Sequence, residues 1–197
     1  MALSKIDSDS LNSGAVTSAA IAAGSVASTA LASGVPTRAQ LPAGSVLQVL
    51  QAFKTDTTTL AVSSFTDIPS LEVTITPSST SSKILIMTSV QATVYQLTVQ
   101  FRITRNGTAV GVANAAGSRV QTLMGGLYNS VDANHQNNPF ASSFLDSPAS
   151  TSALTYRIQI KAQSGASAYI NRSGNDSDNS DWAMRSTSNI TVMEIAG

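Results

Sequence analysis

Four sets of side chains in this chain have types and spacings that chemistry can use. His135 is the only histidine, so any Ser-His-Asp triad would have to run through it. It stands in NSVDANHQNNP, a polar stretch with no G-x-S-x-G nucleophile elbow. It reads as a solvent-exposed loop histidine, and a lone histidine is a poor start for a metal set. Asp176, Asp178 and Asp181 form an acidic cluster in the order D-S-D-N-S-D. Calcium takes several oxygens from a bent loop, but this order lacks the glycine and terminal Glu of an EF-hand. A solvated turn is the reading, with calcium as the alternative. Tyr128, Phe140, Tyr169 and Trp182 lie near polar stretches, where aromatic rings suit the faces of sugars. Aromatics are equally enriched between subunits, and at 5% of the chain they favour that use. Glycoside hydrolysis needs two acids about 5–9 Å apart across a groove. The acids here are few and sit mostly in turns, so no catalytic residue is expected and no enzyme is read.

Composition narrows the partners. The formal net charge is zero and only 11% of residues are charged. No Lys/Arg cluster exists to hold phosphates, so nucleic acid is not an expected partner. Without cysteine there are no disulfides or thiolate metal sites, and no cofactor is expected. The N-terminus, MALSKIDSDS, is polar and acidic, unlike a secretory signal. Leu11 to Thr37 is uncharged, but interspersed Gly, Ser and Thr leave it too weakly apolar for insertion in a membrane.

The elements that must position these groups begin with a repeat. Residues 11–46 read in tens as LNSGAVTSAA, IAAGSVASTA, LASGVPTRAQ and LPAGSV. An aliphatic side chain recurs every five positions at Ile6, Leu11, Val16, Ile21, Val26, Leu31, Leu41 and Val46, with Pro36 the exception. A helix advances about 100° per residue, so this spacing winds the anchors around the axis and makes no stripe. In a strand an odd spacing alternates faces. Such a thread cannot bury its own anchors. The small residues two before the anchors (Gly14, Ala19, Gly24, Ala39, Gly44) resemble a pentapeptide-repeat β-helix. This stretch would make only about two coils of one, and repeat stacks need about three units. Threads from several chains wound together are therefore expected.

From Val46 onward the texture is β. Strands are expected at Val46–Leu50, Thr66–Ile68, Leu71–Ile75, Lys83–Gln96 and Leu97–Thr104. In the last, Leu97, Val99, Phe101 and Ile103 should face inward, and Thr98, Gln100, Arg102 and Thr104 outward. Asn106-Gly107 is the strongest hairpin signal, leading into Thr108–Val112. Gly117–Ser130 reads as a strand broken at Gly125-Gly126. Val131–Pro148 reads as a long polar loop with a short strand at Ser143–Leu145. Alternation returns at Tyr156–Lys161, Ala168–Asn171 and Ser188–Ile195, with a loop at Arg172–Trp182. With no helix in view, about ten short strands read as an all-β sandwich or jelly roll. Residues 44–197 form that domain, and residues 1–43 form an extended repeat stalk.

The run GSVLQVLQAFKTDT, SFTDIPSLEVTITPSSTSSKILIM, YRIQIKAQSGASAYINRSGNDSD and STSNITVMEIAG resembles the recurrent C-terminal domain of bacteriophage virion fibre and decoration proteins, especially those of marine and cyanobacterial phages. The resemblance spans residues 44–197, and the Ala/Gly/Val repeat before it is similar to phage fibre stalks. It implies a jelly-roll knob, trimeric like the tumour-necrosis-factor fold, on a stalk fixed to a virion. It also implies capsid or tail proteins as partners of residues 1–43 and a place on the virion surface, after synthesis in the host cytoplasm. The stalk anchors Leu11, Val16, Ile21, Val26, Leu31, Leu41 and Val46 would hold the homotrimer. The family supplies no catalytic residues. Head and tail positions both remain open, as does recognition of host surface glycans through Tyr128, Tyr169 and Trp182.

Overall fold

Alternation decides the strands. From Leu154 to Ala162 the side chains of Leu154, Tyr156, Ile158, Ile160 and Ala162 are buried and those between are half-exposed. A strand with one face on a core requires this period of two. The computed structural model describes residues 41–126 and 136–197. Eleven strands run through them: β1 (Val46–Lys54), β2 (Thr58–Ala61), β3 (Thr66–Ile75), β4 (Lys83–Val94), β5 (Val99–Arg105), β6 (Thr108–Val110), β7 (Met124–Gly126), β8 (Asn138–Asp146), β9 (Leu154–Ala162), β10 (Ser167–Ile170) and β11 (Ser188–Ile195). Among the described residues the only helical turn is a short 3-10 turn at Gln163–Gly165, and no helix is long and apolar enough to cross a membrane.

The protein is all-β, with every strand pair antiparallel. In the first sheet β8 lies along one edge of β4, while β11 and β10 lie end to end along the other. Outside these two, β1 pairs with β11 and β2 with β10. The second sheet runs β3-β9-β5, and β6 and β7 share the far edge of β5. Five of the pairings are nested in sequence: β1 with β11, β2 with β10, β3 with β9, β4 with β8 and β5 with β7. Both sheets feed one core, consistent with a β-sandwich. Ile84, Ile86, Val90, Ile190 and Val192 of the first sheet are buried together with Val99, Phe101, Ile103, Ile158 and Ile160 of the second. The rings of Phe101 and Phe140, one from each sheet, lie 4.9 Å apart. Each fully buried aliphatic side chain stabilises the fold by roughly 1.5–3 kcal/mol.

Several strands differ from their expected bounds. β1 runs on to Lys54, and β2 forms where no strand is expected. The two expected strands at Thr66–Ile68 and Leu71–Ile75 are one strand. Its register slips between Asp67 and Glu72, where Ser70 takes a φ of 64°. β8 occupies nine residues of the expected polar loop. It is an edge strand, which tolerates Pro139, and its inward positions include Ser142 and Asp146, so it lacks apolar alternation. Of the expected strand at Gly117–Ser130, the described residues are paired only at Met124–Gly126. Thr104, expected to face outward, is buried.

Where β1 gives way to β2, and β10 to β11, the first sheet has a shared break. Asn171 closes it. Its backbone N–H donates to the Gln91 carbonyl at 2.9 Å. Its Nδ2 donates to the carbonyls of Lys54 and Asp56 at 3.0 and 2.9 Å. Its Oδ1 accepts from the Ser188 hydroxyl at 2.6 Å, and that hydroxyl accepts in turn from the Gln91 N–H. Side chains thus replace the missing ladder, as buried backbone groups require. Asn171 adopts a φ of 61° to do so, a conformation asparagine tolerates better than most residues.

Candidate functional site

Two surfaces stand out from the fold. The first is the outward face of β1, β11, β4 and β8. Register places Val49, Met193, Leu85 and Leu145 in one row across four strands. The next row is Gln51, Thr191, Met87 and Ser143, and the one after is Phe53, Asn189, Ser89 and Ala141. Val49, Phe53, Met87 and Leu145 are each 45–56% exposed, although these side chains belong inside by composition. Lys83, at one end of β4, is the only formal charge on these outward positions, and it bonds the Ser147 hydroxyl. The first row is apolar across all four strands, and the other two mix apolar with uncharged polar side chains.

The second is a polar cavity of about 260 Å³ in the loop from β10 to β11. The loop starts from Tyr169, whose ring packs 4.3 Å from the Arg172 guanidinium. Arg172 also donates to the Thr59 hydroxyl on β2 and lies 3.9 Å from the Asp176 carboxylate. Arg185 closes on Asp176 at 2.5 Å, and the backbones of Arg172 and Arg185 form an isolated antiparallel bridge. Within the loop, the hydroxyls of Ser173 and Ser177 donate to Asn175, and Asn179 Oδ1 accepts from the Asp181 N–H. The cavity is lined by Ser173, Asp176, Asp178, Asn179, Met184 and Arg185, among others. The Asp176 carboxylate faces two arginines, and Asp181 does not line the cavity. Among the described residues no three His, Cys, Asp or Glu side chains group as a metal set.

Two buried carboxylates lie elsewhere. Glu194 is fully buried and accepts from the Ser78 N–H and hydroxyl, the Ser82 hydroxyl and Gln48 Nε2, all within 2.8 Å. Burial alone would raise its pKa, but these donors outweigh it and hold the carboxyl below its ordinary value. Asp146 accepts from the Tyr156 hydroxyl and from Arg105, both at 2.7 Å. Burial, then the Asp146 carboxylate, pushes the Tyr156 hydroxyl well above the usual tyrosine range. Both carboxylates tie strands together, and neither lines the polar cavity.

The expected site residues fall as follows. Leu11, Val16, Ile21, Val26, Leu31, Tyr128 and His135 lie outside the described residues. Leu41 is half-buried, and Val46, 52% exposed, opens β1 opposite Ile195. Phe140 belongs to the core and is no surface contact. Tyr169 and Trp182 are half-buried. Tyr169 is stacked under Arg172, and Trp182 immediately precedes the lining residues Ala183 and Met184. Sequence reasoning missed Ser173, Asn179, Met184 and Arg185 as lining. The available signal was a pair of arginines, 172 and 185, flanking an acidic loop. No protein-family model matches the chain, and no curated protein matches it.

Proposed function

We propose that this protein is a non-enzymatic phage virion structural protein, a homotrimeric fibre or capsid decoration protein. In this reading residues 44–197 are a jelly-roll knob and residues 1–43 are a stalk that holds capsid or tail proteins. The nested pairing of β1 with β11, β2 with β10, β3 with β9, β4 with β8 and β5 with β7 supports the jelly roll, which is one long antiparallel hairpin rolled over itself. The observation that carries the trimer is the row Val49, Met193, Leu85 and Leu145. A nearly uncharged face with an apolar row across it meets copies of itself without like-charge repulsion, and obligate interfaces are more apolar than transient ones. The repeat of residues 11–46 leads straight into β1, the strand that bears Val49 and Phe53. Its five-residue anchor spacing also calls for several chains side by side.

Light scattering of the full chain is the test. A mass near three times 20.3 kDa is expected, and a stable monomer would overturn the reading. A density map of intact particles would then distinguish many copies over a head from a few at a tail. A second reading, a tail-associated receptor-binding protein that recognises host surface glycans, is favoured by the polar cavity between Ser173 and Arg185.

A further inference from the structure

We propose that the cavity in the β10–β11 loop binds a neutral sugar ring through Asp178, Asn179 and Arg185. The inference rests on the glycan-recognition reading and names its site and ligand class. Three observations carry it. The first is unused hydrogen-bonding capacity. The Asp178 carboxylate lines the cavity and has no ion pair or hydrogen bond among the described residues, and so offers acceptors. Asn179 spends its Oδ1 on the Asp181 N–H, which leaves its Nδ2 to donate. Arg185 engages Asp176 through one nitrogen and keeps other N–H groups available. Carboxylate acceptors beside amide and guanidinium donors complement adjacent sugar hydroxyls, each of which donates and accepts.

The second observation is shape. Ala183 and Met184 add an apolar wall, and Met184 is 44% exposed. Together with the polar groups they suit a ring with one C–H face and one hydroxyl edge. At about 260 Å³ the cavity falls just below the roughly 300–1,000 Å³ of drug-sized sites, as expected for one ring rather than a long chain. Local charge excludes acidic sugars. Asp176 and Asp178 line the cavity against one guanidinium, that of Arg185, whose charge is already paired with Asp176.

The third is position. β1 pairs with β11 from Val46 opposite Ile195 to Lys54 opposite Ser188. The chain enters the β-domain at the Val46 end, while the loop joins β11 at Ser188. The cavity thus lies toward the far end of a nine-residue strand, about 27 Å from the entry at roughly 3.3 Å per residue. A ligand at this end would lie clear of the point where the first strand of the β-domain begins.

The test uses full-length protein and saturation-transfer NMR with methyl α-D-mannoside, methyl α-D-glucoside, methyl β-D-galactoside and N-acetylglucosamine, with N-acetylneuraminic acid as the acidic probe. At least one neutral sugar should bind, and N-acetylneuraminic acid should not. Asp178→Ala should weaken that binding about tenfold or more, the effect of losing hydrogen bonds to a charged group. Asp178→Asn should weaken it similarly by turning acceptors into a donor. Gln121→Ala, between β6 and β7 and outside the cavity lining, should leave it unchanged, and circular dichroism should show every variant folded. Preference for the acidic sugar, or neutral-sugar binding undiminished in Asp178→Ala, overturns the site while leaving glycan recognition elsewhere possible. Failure to bind any sugar overturns the site and counts against the glycan reading as a whole.

Discussion

The Tyr156 hydroxyl donates to Asp146 Oδ2 at 2.7 Å, and the two residues belong to different sheets. Tyr156 stands on β9 and is fully buried, and Asp146 ends β8 at 6% exposure. Arg105 on β5 bonds the same carboxylate oxygen. Three strands from two sheets therefore meet at one carboxylate. A buried carboxylate is tolerable only when its partners replace water, and here a hydroxyl and a guanidinium do so.

Tyr156→Phe removes one donor and leaves Arg105 in place. Chemical denaturation should show a loss of about 1–3 kcal/mol. Asp146→Ala strands both a buried hydroxyl and a guanidinium and should cost more, on the order of 3–5 kcal/mol. Equal losses in the two variants would mean that the Arg105 contact contributes nothing.

Glu194 makes stability depend on pH. Its folded-state pKa lies below the ordinary value, while the unfolded chain titrates near about 4.3. Its contribution is therefore fully present above the unfolded value and is lost as pH falls through the folded one. Glu194→Gln should lower the melting temperature at neutral pH and flatten the decline between about pH 4.5 and the folded value. An unchanged acid limb in the variant would assign that limb to other groups.

Asn171 should resist substitution more than an ordinary loop residue. Asn171→Ala leaves the carbonyls of Lys54 and Asp56 and the Ser188 hydroxyl without their partner and keeps an unfavourable φ. A loss of about 3 kcal/mol is expected. Asn171→Gly removes the strain but not the missing bonds, so it should fall between Ala and wild type in urea unfolding.

Leu145→Glu or Met87→Glu places a charge on the apolar face without touching the core. The far-ultraviolet spectrum should stay as in wild type while light scattering reports a smaller species. An unchanged mass in both variants would move the oligomer contact off this face.

A chain cut to begin at Leu41 should fold, because Leu41–Gly197 forms a compact unit by itself and Gly44 and Ser45 are already bonded to Ala196. The same cut should abolish attachment to particles. Ile21→Asp, which repeats in each copy, should weaken attachment before it affects the domain. A truncated protein that binds particles as well as the full chain would show that the β-domain itself does the docking.

The sequence by itself determined the all-β class and the strands whose inward residues are apolar in strict alternation, such as β9. There the period of two is a local property, as is the Asn106-Gly107 turn between β5 and β6. Only the tertiary structure decided what happens where inward positions are polar. Ser142 and Asp146 hide β8 from the pattern, and Asp146 is placed inside only because Tyr156 and Arg105 arrive from the other sheet. Glu194 lies on the buried parity of β11, yet its four donors come from residues more than a hundred positions away. The candidate site divides in the same way. Its acidic residues and flanking aromatics are legible in the chain, but the lining by Asn179, Met184 and Arg185 depends on a loop closing on itself through Asp176. Local alternation is written residue by residue, whereas a buried charge or a pocket exists only once distant segments supply its partners.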